Sequence, residues 1–312
     1  MLRDSSLWAV ASHFNPCRYR LRRENYRTFR RHLQVPLVTV ELAFDGPFEL
    51  EAGDADILIQ IRGGDVMWQK ERLLNLAIAR LPVACDKVAW LDCDVVFESR
   101  DWAERLESAL EHNAVVQPFS TACALARGVT SFEARPQHVQ RTFRSIVHGI
   151  AAGEAAVELF LGHRLMSYSG FHCGMAWAAR REVIAQRGLY DAGIIGGGDR
   201  MMVDVMFGYS DEIPRRFNMI QGEADHFMRW AKPYYESVRD SITHLDGTIY
   251  HLWHGDVGNR KYVKRQLVFR EFGFDPNGDI AVAESGAWQW SSDKRGMHAY
   301  ARRYFASRRE DG

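Results

Sequence analysis

Short apolar runs alternate with segments of helical spacing through the first third of this chain. Leu7–Ala11, Leu37–Phe44 and Asp56–Ile61 read as strands. Between the first two, Arg20–Leu33 sets Leu21, Tyr26, Phe29 and Leu33 roughly on one side of a helix. Trp68–Leu81 repeats Leu73, Leu74, Ala77, Ile78 and Leu81 at helical spacing, which predicts an amphipathic helix. Lys87–Leu91 is a further strand, and Asp101 with Glu104 has the form of a capping box opening a helix to His112. Val115–Phe119 is again strand-like. Such β-α-β alternation predicts an α/β protein with a mostly parallel central sheet and helices on both faces.

Beyond residue 120 the pattern weakens. Residues 120–165 lack clear strand periodicity and contain Gly128, Pro136, Gly149 and Gly153, which predicts a loop and helix insertion over the site. Phe171–Ala179 resumes as a strand, Arg181–Gln186 as a short helix, Gly193–Gly198 as a glycine-rich turn, and Gly247–Trp253 as a late strand ending at His254. The tail from Lys261 onward is basic, aromatic and partly helical in pattern. No repeat or linker divides the chain. Residues 1–260 read as one catalytic domain and 261–312 as a basic extension packed on it.

Composition narrows the class. The 312 residues are 46% hydrophobic and carry 40 basic and 40 acidic side chains, so net charge gives no reason to expect a general polyanion binder. Five scattered cysteines without CxxC spacing fit reduced thiols better than a disulfide framework. With no leader-like apolar region at the start and no membrane-length apolar stretch, the expectation is a cytoplasmic protein without a membrane span.

The chemistry concentrates where the strand Lys87–Leu91 ends in Asp92-Cys93-Asp94. Two carboxylates at the mouth of a buried strand require a cation, and hard oxygen ligands suit Mn²⁺ or Mg²⁺, ions that commonly carry phosphates. The same spacing recurs in Asp54-Ala55-Asp56, but that pair precedes a strand and follows Gly53 in a turn. Ligands of doubly wound sheets bind at the carboxyl ends of strands, which selects Asp92 and Asp94. His251-Leu252-Trp253-His254 supplies imidazoles for the same ion. An extended backbone would send the two rings to opposite faces, so one of them is expected to bind, with Gly255 turning the backbone beside a ligand. Gly197 and Gly198 allow close approach of a ligand, and Asp199 after them is placed as a general base or, equally, as a helix cap. Lys70 and Arg72 open the amphipathic helix, available to a diphosphate or simply exposed. Arg18–Arg31 holds seven arginines and one acid. With Arg302, Arg303, Arg308 and Arg309 it forms a candidate contact for an anionic acceptor, nucleic acid included.

Taken together, four blocks resemble metal-dependent GT-A glycosyltransferases, closest to the β-1,4-galactosyltransferase-like branch. Trp68-Gln69-Lys70-Glu71-Arg72-Leu73-Leu74-Asn75 is similar to that family's aromatic-x-basic-x-basic-Leu-Leu-Asn helix. Leu91-Asp92-Cys93-Asp94 is similar to its Asp-x-Asp motif, Gly174 to Gly198 to its strand, helix and glycine turn, and His251-Leu252-Trp253-His254 to its Met-x-x-His segment. The resemblance implies a GT-A (Rossmann-like) fold and an inverting transfer of a sugar from a nucleotide diphosphate, UDP foremost, to a glycan or other acceptor hydroxyl. It implies Lys70, Arg72, Asp92, Gly197 and Gly198 on the donor and Asp94 with His254 on Mn²⁺ or Mg²⁺. His251, in the methionine position, and Asp92 are further candidate ligands, and Asp199 takes the role of base. Gly198 departs from the pattern, standing where the family has a glutamate that holds the acceptor sugar; Arg200 replaces an aspartate. Three alternatives stay open: the same chemistry on a nucleic-acid base, a nucleotidyl-transferring enzyme, and an inactive nucleotide-sugar-binding module.

Overall fold

The computed structural model describes residues 5–129, 132, 135, 137–154 and 170–312. Its centre is a seven-stranded sheet in the order β11-β6-β10-β4-β1-β2-β3. The strands are β1 (Leu7–Phe14), β2 (Leu37–Ala43), β3 (Ile57–Arg62), β4 (Lys87–Leu91), β6 (Val115–Gln117), β10 (Ala176–Arg180) and β11 (Ile242–His244). Neighbours pair in parallel except at β10, which runs antiparallel to both β4 and β6. A second, five-stranded sheet has the order β5-β12-β7-β8-β9, formed by β5 (Val95–Phe97), β7 (Thr121–Leu125), β8 (Val139–Ser145), β9 (Phe171–His172) and β12 (Thr248–His251). A hairpin of β13 (Ile280–Val282) and β14 (Trp288–Trp290) stands apart.

The helices are α1 (Arg20–His32), α2 (Lys70–Ile78), α3 (Trp102–His112), α4 (Ile146–Ala151), α5 (Arg181–Ala185), α6 (Gly198–Met206), α7 (Glu212–Arg216), α8 (Gln221–Val238), α9 (Tyr262–Arg270), α10 (Pro276–Asp279) and α11 (Arg295–Ser307). The two-residue side-chain period of the strands sorts the core into two layers. Trp8, Val10, Val38, Val40, Val88 and Trp90 pack with Leu73, Leu74, Ala77 and Ile78 of α2 on one face. Leu7, Ala9, Ala11, Leu37, Ala89 and Leu91 pack with Phe29 of α1 and Trp102, Leu106 and Leu110 of α3 on the other. Each fully buried leucine of this kind contributes about 1.5–3 kcal/mol. The expected mostly parallel sheet, covered on both faces, is therefore what the chain builds.

Several expectations are corrected. Residues 120–165 contain β7, β8 and α4 rather than only loop and helix; 130, 131, 133, 134, 136 and 155–165 lie outside the described residues. The strand expected over Phe171–Ala179 is split into β9 and β10 at Gly174 and Met175, the latter in a left-handed conformation (φ 77°). Asp101 is the N-cap residue of α3, but its side chain bonds Ser99 and no cap hydrogen bond forms. The glycine turn passes directly into α6, with Gly197 at its N-cap (φ 109°). No helix among the described residues is long and apolar enough to cross a membrane.

Candidate active site

Asp92 and Asp94 leave the carboxyl end of β4, the central strand of the sheet, where the parallel block meets antiparallel β10. The Asp92 amide donates to the Met175 carbonyl (2.8 Å), which ties the loop to β10. Directly after Asp94 the chain enters β5, whose antiparallel register with β12 sets Val95 opposite His251. The Leu252 amide then donates to the Asp94 carbonyl (2.8 Å). Register thus brings the second candidate segment onto the first.

On one side of this point Lys70, at the start of α2, sits between two carboxylates. Its Nζ lies 2.6 Å from Asp92 Oδ1 and 3.2 Å from Asp199 Oδ1. Burial alone would lower the ammonium pKa, but Asp199 and Asp92 outweigh it and hold it well above the ordinary lysine value. Burial raises the Asp199 carboxyl above its ordinary value against the pull of Lys70, and Asp92 adds to the rise. Asp199 reaches its place over Gly174, where a Cβ would lie 2.6 Å from its Oδ2. Glu71, one residue beyond Lys70, is buried beneath α6. Its Oε1 comes within 2.4 Å of where a Cβ on Gly198 would stand, so it occupies the space a side chain at 198 would need. Burial pushes Glu71 up to about 8, with Lys70 opposing and Asp199 reinforcing.

On the other side Asp94, His251 and His254 bring one donor atom each within 4.8 Å of one another. His251 Nε2 is 3.6 Å from Asp94 Oδ1, His254 Nδ1 is 3.5 Å from Asp94 Oδ2, and the two Nε2 atoms are 3.1 Å apart. An ion with bonds of about 2.1 Å sets adjacent donors about 3.0–3.4 Å apart, so a small inward shift of the three side chains would bring one atom from each to a single ion. Asp94 Oδ1 is buried and accepts no hydrogen bond, an orphan acceptor that a cation would satisfy. Burial lowers His251 to about 4; burial, Arg260 and His251 take His254 well below its ordinary value. Burial thus favours the neutral form of both rings, the form that binds a metal. Burial and Asp92 push Asp94 up to about 7, another mark of a site short of positive charge. The expectation that the two imidazoles point to opposite faces is corrected. β12 ends at His251, and the chain turns before His254, so both rings face Asp94.

Sequence reasoning missed the groups that hold this arrangement. The Arg260 guanidinium bonds His254 Nδ1 and donates to the His254 carbonyl (2.6 Å). Glu310, almost fully buried, pairs with Arg22 (3.0 Å), Arg260 (3.8 Å) and Arg308 (2.6 Å). His172, lowered to about 4 by burial and then by His251, accepts from the Gly174 amide (3.0 Å) beside the cluster. Glu71 had one sequence signal, its place inside the Lys70–Asn75 motif; Arg22 and Arg308 stood out only as members of the basic acceptor contact, and Arg260, Glu310 and His172 had none.

Some candidates go elsewhere. Arg72 is not brought to the cluster: it donates to the Gly286 carbonyl (2.6 Å), pairs with Asp191 (3.3 Å) and lies over Trp288. Gly197 is approached by Phe217 and Gln266, and Gly255 lies against the carbonyls of Arg308 and Arg309 rather than a ligand. Four arginines of α1 are paired internally, Arg20 with Glu24, Arg22 with Glu310, Arg27 with Glu51 and Asp54, and Arg30 with Asp56. Arg308 is buried against Glu310, so the expected contact with nucleic acid gains no support. Asp54 and Asp56 serve local structure, Asp54 through a capping box with Glu51 and Asp56 by accepting from the Leu37 amide.

A scan of the sequence against known protein families and a search of curated proteins both find no match. Among solved structures, the chain is similar to glucosyl-3-phosphoglycerate synthase from Mycobacterium tuberculosis in complex with Mn²⁺, UDP and phosphoglyceric acid. The identity is 14% over 88% of this chain and 81% of that one, with a TM-score of 0.41. It is also similar to S. aureus TarS 1-349, at 10% identity over 99% and 74% with a TM-score of 0.37. A putative nucleotide-diphospho-sugar transferase from Desulfovibrio desulfuricans G20 aligns at 11% over 96% of both chains with a TM-score of 0.31.

Proposed function

We propose that this protein is a divalent-metal-dependent glycosyltransferase that moves a sugar from a nucleotide diphosphate, UDP foremost, to an acceptor hydroxyl with inversion at the anomeric carbon. The observation that carries this reading is the pairing of two constellations at one strand edge. Lys70 is held between Asp92 and Asp199, and an Asp94-His251-His254 donor set stands beside it.

Asp94, His251 and His254 would hold the ion, and two imidazoles favour Mn²⁺ over Mg²⁺. A bound ion supplies positive charge to the departing diphosphate. Lys70 adds a charge-assisted donor to the same oxygens, and Asp92 orients the ribose. Asp199 accepts the proton of the acceptor hydroxyl at a carboxylate oxygen as that hydroxyl attacks. Its raised pKa makes it a stronger base than an exposed aspartate, and Lys70 beside it favours the ionised form. Glu71, beneath Gly198, is the buried acid next to Asp199.

The test is Mn²⁺-dependent hydrolysis of a panel of nucleotide sugars, read as release of the nucleoside diphosphate. Release from one donor, lost in Asp94→Ala, is the expected result. No release from any donor, with nucleotide binding intact, would overturn catalysis in favour of a binding module. Release of pyrophosphate from a nucleoside triphosphate would point to nucleotidyl transfer instead.

A further inference from the structure

A second set of metal-type donors lies outside the catalytic cluster. His148 projects from α4, His244 is the last residue of β11, and Asp246 follows in the loop to β12. His148 Nδ1 is 3.1 Å from His244 Nε2; Asp246 Oδ1 is 3.6 Å from His244 Nε2 and 4.0 Å from His148 Nδ1. We propose that His148, His244 and Asp246 form a second metal site, selective for a borderline divalent ion such as Zn²⁺.

The three separations bracket the edge of a tetrahedron with bonds of about 2.0–2.1 Å, which is about 3.3 Å. The rings stand edge to face at 89°, so their lone pairs are not stacked against each other. His244 Nδ1 is buried without a partner, leaving Nε2 as the atom through which this ring bonds. Both imidazoles are mostly covered, at 18% exposure, whereas Asp246 is 81% exposed. That leaves an entry path and a fourth position for water.

The backbone around the donors is fixed before any ion arrives. The Ser145 hydroxyl accepts from the His148 amide (3.1 Å) and caps α4. The Leu245 amide donates to the Gln117 carbonyl (3.1 Å). Arg105 donates to the Asp246 carbonyl (2.6 Å), and the Gly247 amide to Ser120 Oγ (3.1 Å). Two nitrogen donors and one carboxylate suit Zn²⁺ and disfavour Mg²⁺, which prefers oxygen and water. The site has a structural consequence as well. Gln117, opposite His244 in the sheet, accepts from the Val147 amide (3.2 Å) and donates to the His172 carbonyl (3.2 Å). An ion clamping α4 to β11 therefore braces the segment that carries His172 into the catalytic cluster.

The experiment titrates chelator-treated full-length protein with Zn²⁺ against a competing indicator, alongside His244→Gln, Asp246→Asn and His254→Gln. Wild type should bind two ions. His254→Gln should keep the second site, whereas His244→Gln and Asp246→Asn should weaken it by about tenfold or more. Asp246 is exposed, so its amide variant folds even where a histidine variant does not; circular dichroism checks each protein. The same Zn²⁺ stoichiometry and affinity in wild type and Asp246→Asn, or a site lost in His254→Gln but kept in His244→Gln, would overturn the proposal.

Discussion

Gly198→Ala should destabilise this protein, and removing the Glu71 side chain should turn the same substitution into a gain. Gly198 is the first residue of α6, and its backbone is already helical there. With open space above it, alanine would gain about 0.5–1 kcal/mol over glycine. The space is not open. The new Cβ would stand 2.4 Å from Glu71 Oε1 and 2.7 Å from its Cδ, roughly 1 Å inside an ordinary van der Waals contact. Glu71 has little room to retreat. The adjacent cavity, lined by Lys70, Leu74, Trp90, Tyr190 and Met202 among others, measures about 10 Å³, space for no more than about one water. Overpacking of this kind costs about 1–3 kcal/mol, so the net effect in the wild-type background is a loss of about 0.5–2 kcal/mol. In a Glu71→Ala background the clash disappears and the helical gain remains. Urea denaturation of the four proteins of this double-mutant cycle measures the coupling, expected at about 1–3 kcal/mol. A stabilising Gly198→Ala in wild type, or additivity within about 0.5 kcal/mol, would refute the packing argument.

Asp199→Asn should lower transfer by about 10²–10⁴ while leaving nucleotide–Mn²⁺ binding nearly intact by calorimetry; loss of that binding would sink the base assignment. Because burial raises Asp199, the acid limb of the kcat/KM–pH profile should lie above the ordinary carboxylate range, with activity rising as pH climbs through it. A limb at an ordinary aspartate value would contradict the geometry. Burial also pushes Glu223 from an ordinary value near 4.5 up to about 8, with Arg270 opposing. Its stabilising contribution is thus full below the unfolded pKa and lost as pH rises through about 8. Urea midpoints of wild type should therefore fall relative to Glu223→Gln between pH 5 and 9, by an amount of order 1 kcal/mol in stability. Glu310→Gln leaves Arg22, Arg260 and Arg308 without their shared buried partner and should cost about 3–5 kcal/mol, read as a lowered Tm with weakened Mn²⁺ binding. An unchanged Tm would show that the three guanidiniums do not depend on Glu310.

The elements legible in the sequence are those whose pattern is set by one dominant layer. β1, β2, β4 and α2 bury consecutive or periodic apolar residues, and their bounds follow within a few positions. β8 escaped because it is half exposed: Val139–Ser145 carries Gln140, Arg141 and Arg144, and its partners β7 and β9 define it more than its own side chains do. α6 escaped because two of the glycines that read as a turn supply its cap and first residue. α8 contains Pro233 within an eighteen-residue helix held by Phe227, Ala231, Tyr234 and Val238, a burial stripe that tertiary packing enforces. In the site, residues named by local motifs were visible, while the charges that answer them were not. Arg260, Arg22 and Glu310 lie at opposite ends of the chain, and no spacing rule connects them.

The histidine pair shows where local reasoning stops. Period-two geometry forbids residues 251 and 254 from sharing a face, and the argument is sound for as long as the strand continues. It fails because β12 is only four residues long and is terminated from outside. The Asp94 carbonyl captures the Leu252 amide, Asn25 Nδ2 donates to the Trp253 carbonyl (3.0 Å), and Gly255 adopts φ 95° against the chain end. Each restraint comes from a different element: the β4–β5 loop, α1 and the C-terminal tail. The donor set is therefore a joint product of both sheets, with Asp94 delivered by the end of β4 and the imidazoles by a strand whose register is fixed through β5. A carboxylate pair after a buried strand indicates where a cation is needed. Which nitrogens reach it is decided by register and by the chain end, which the pair itself does not encode.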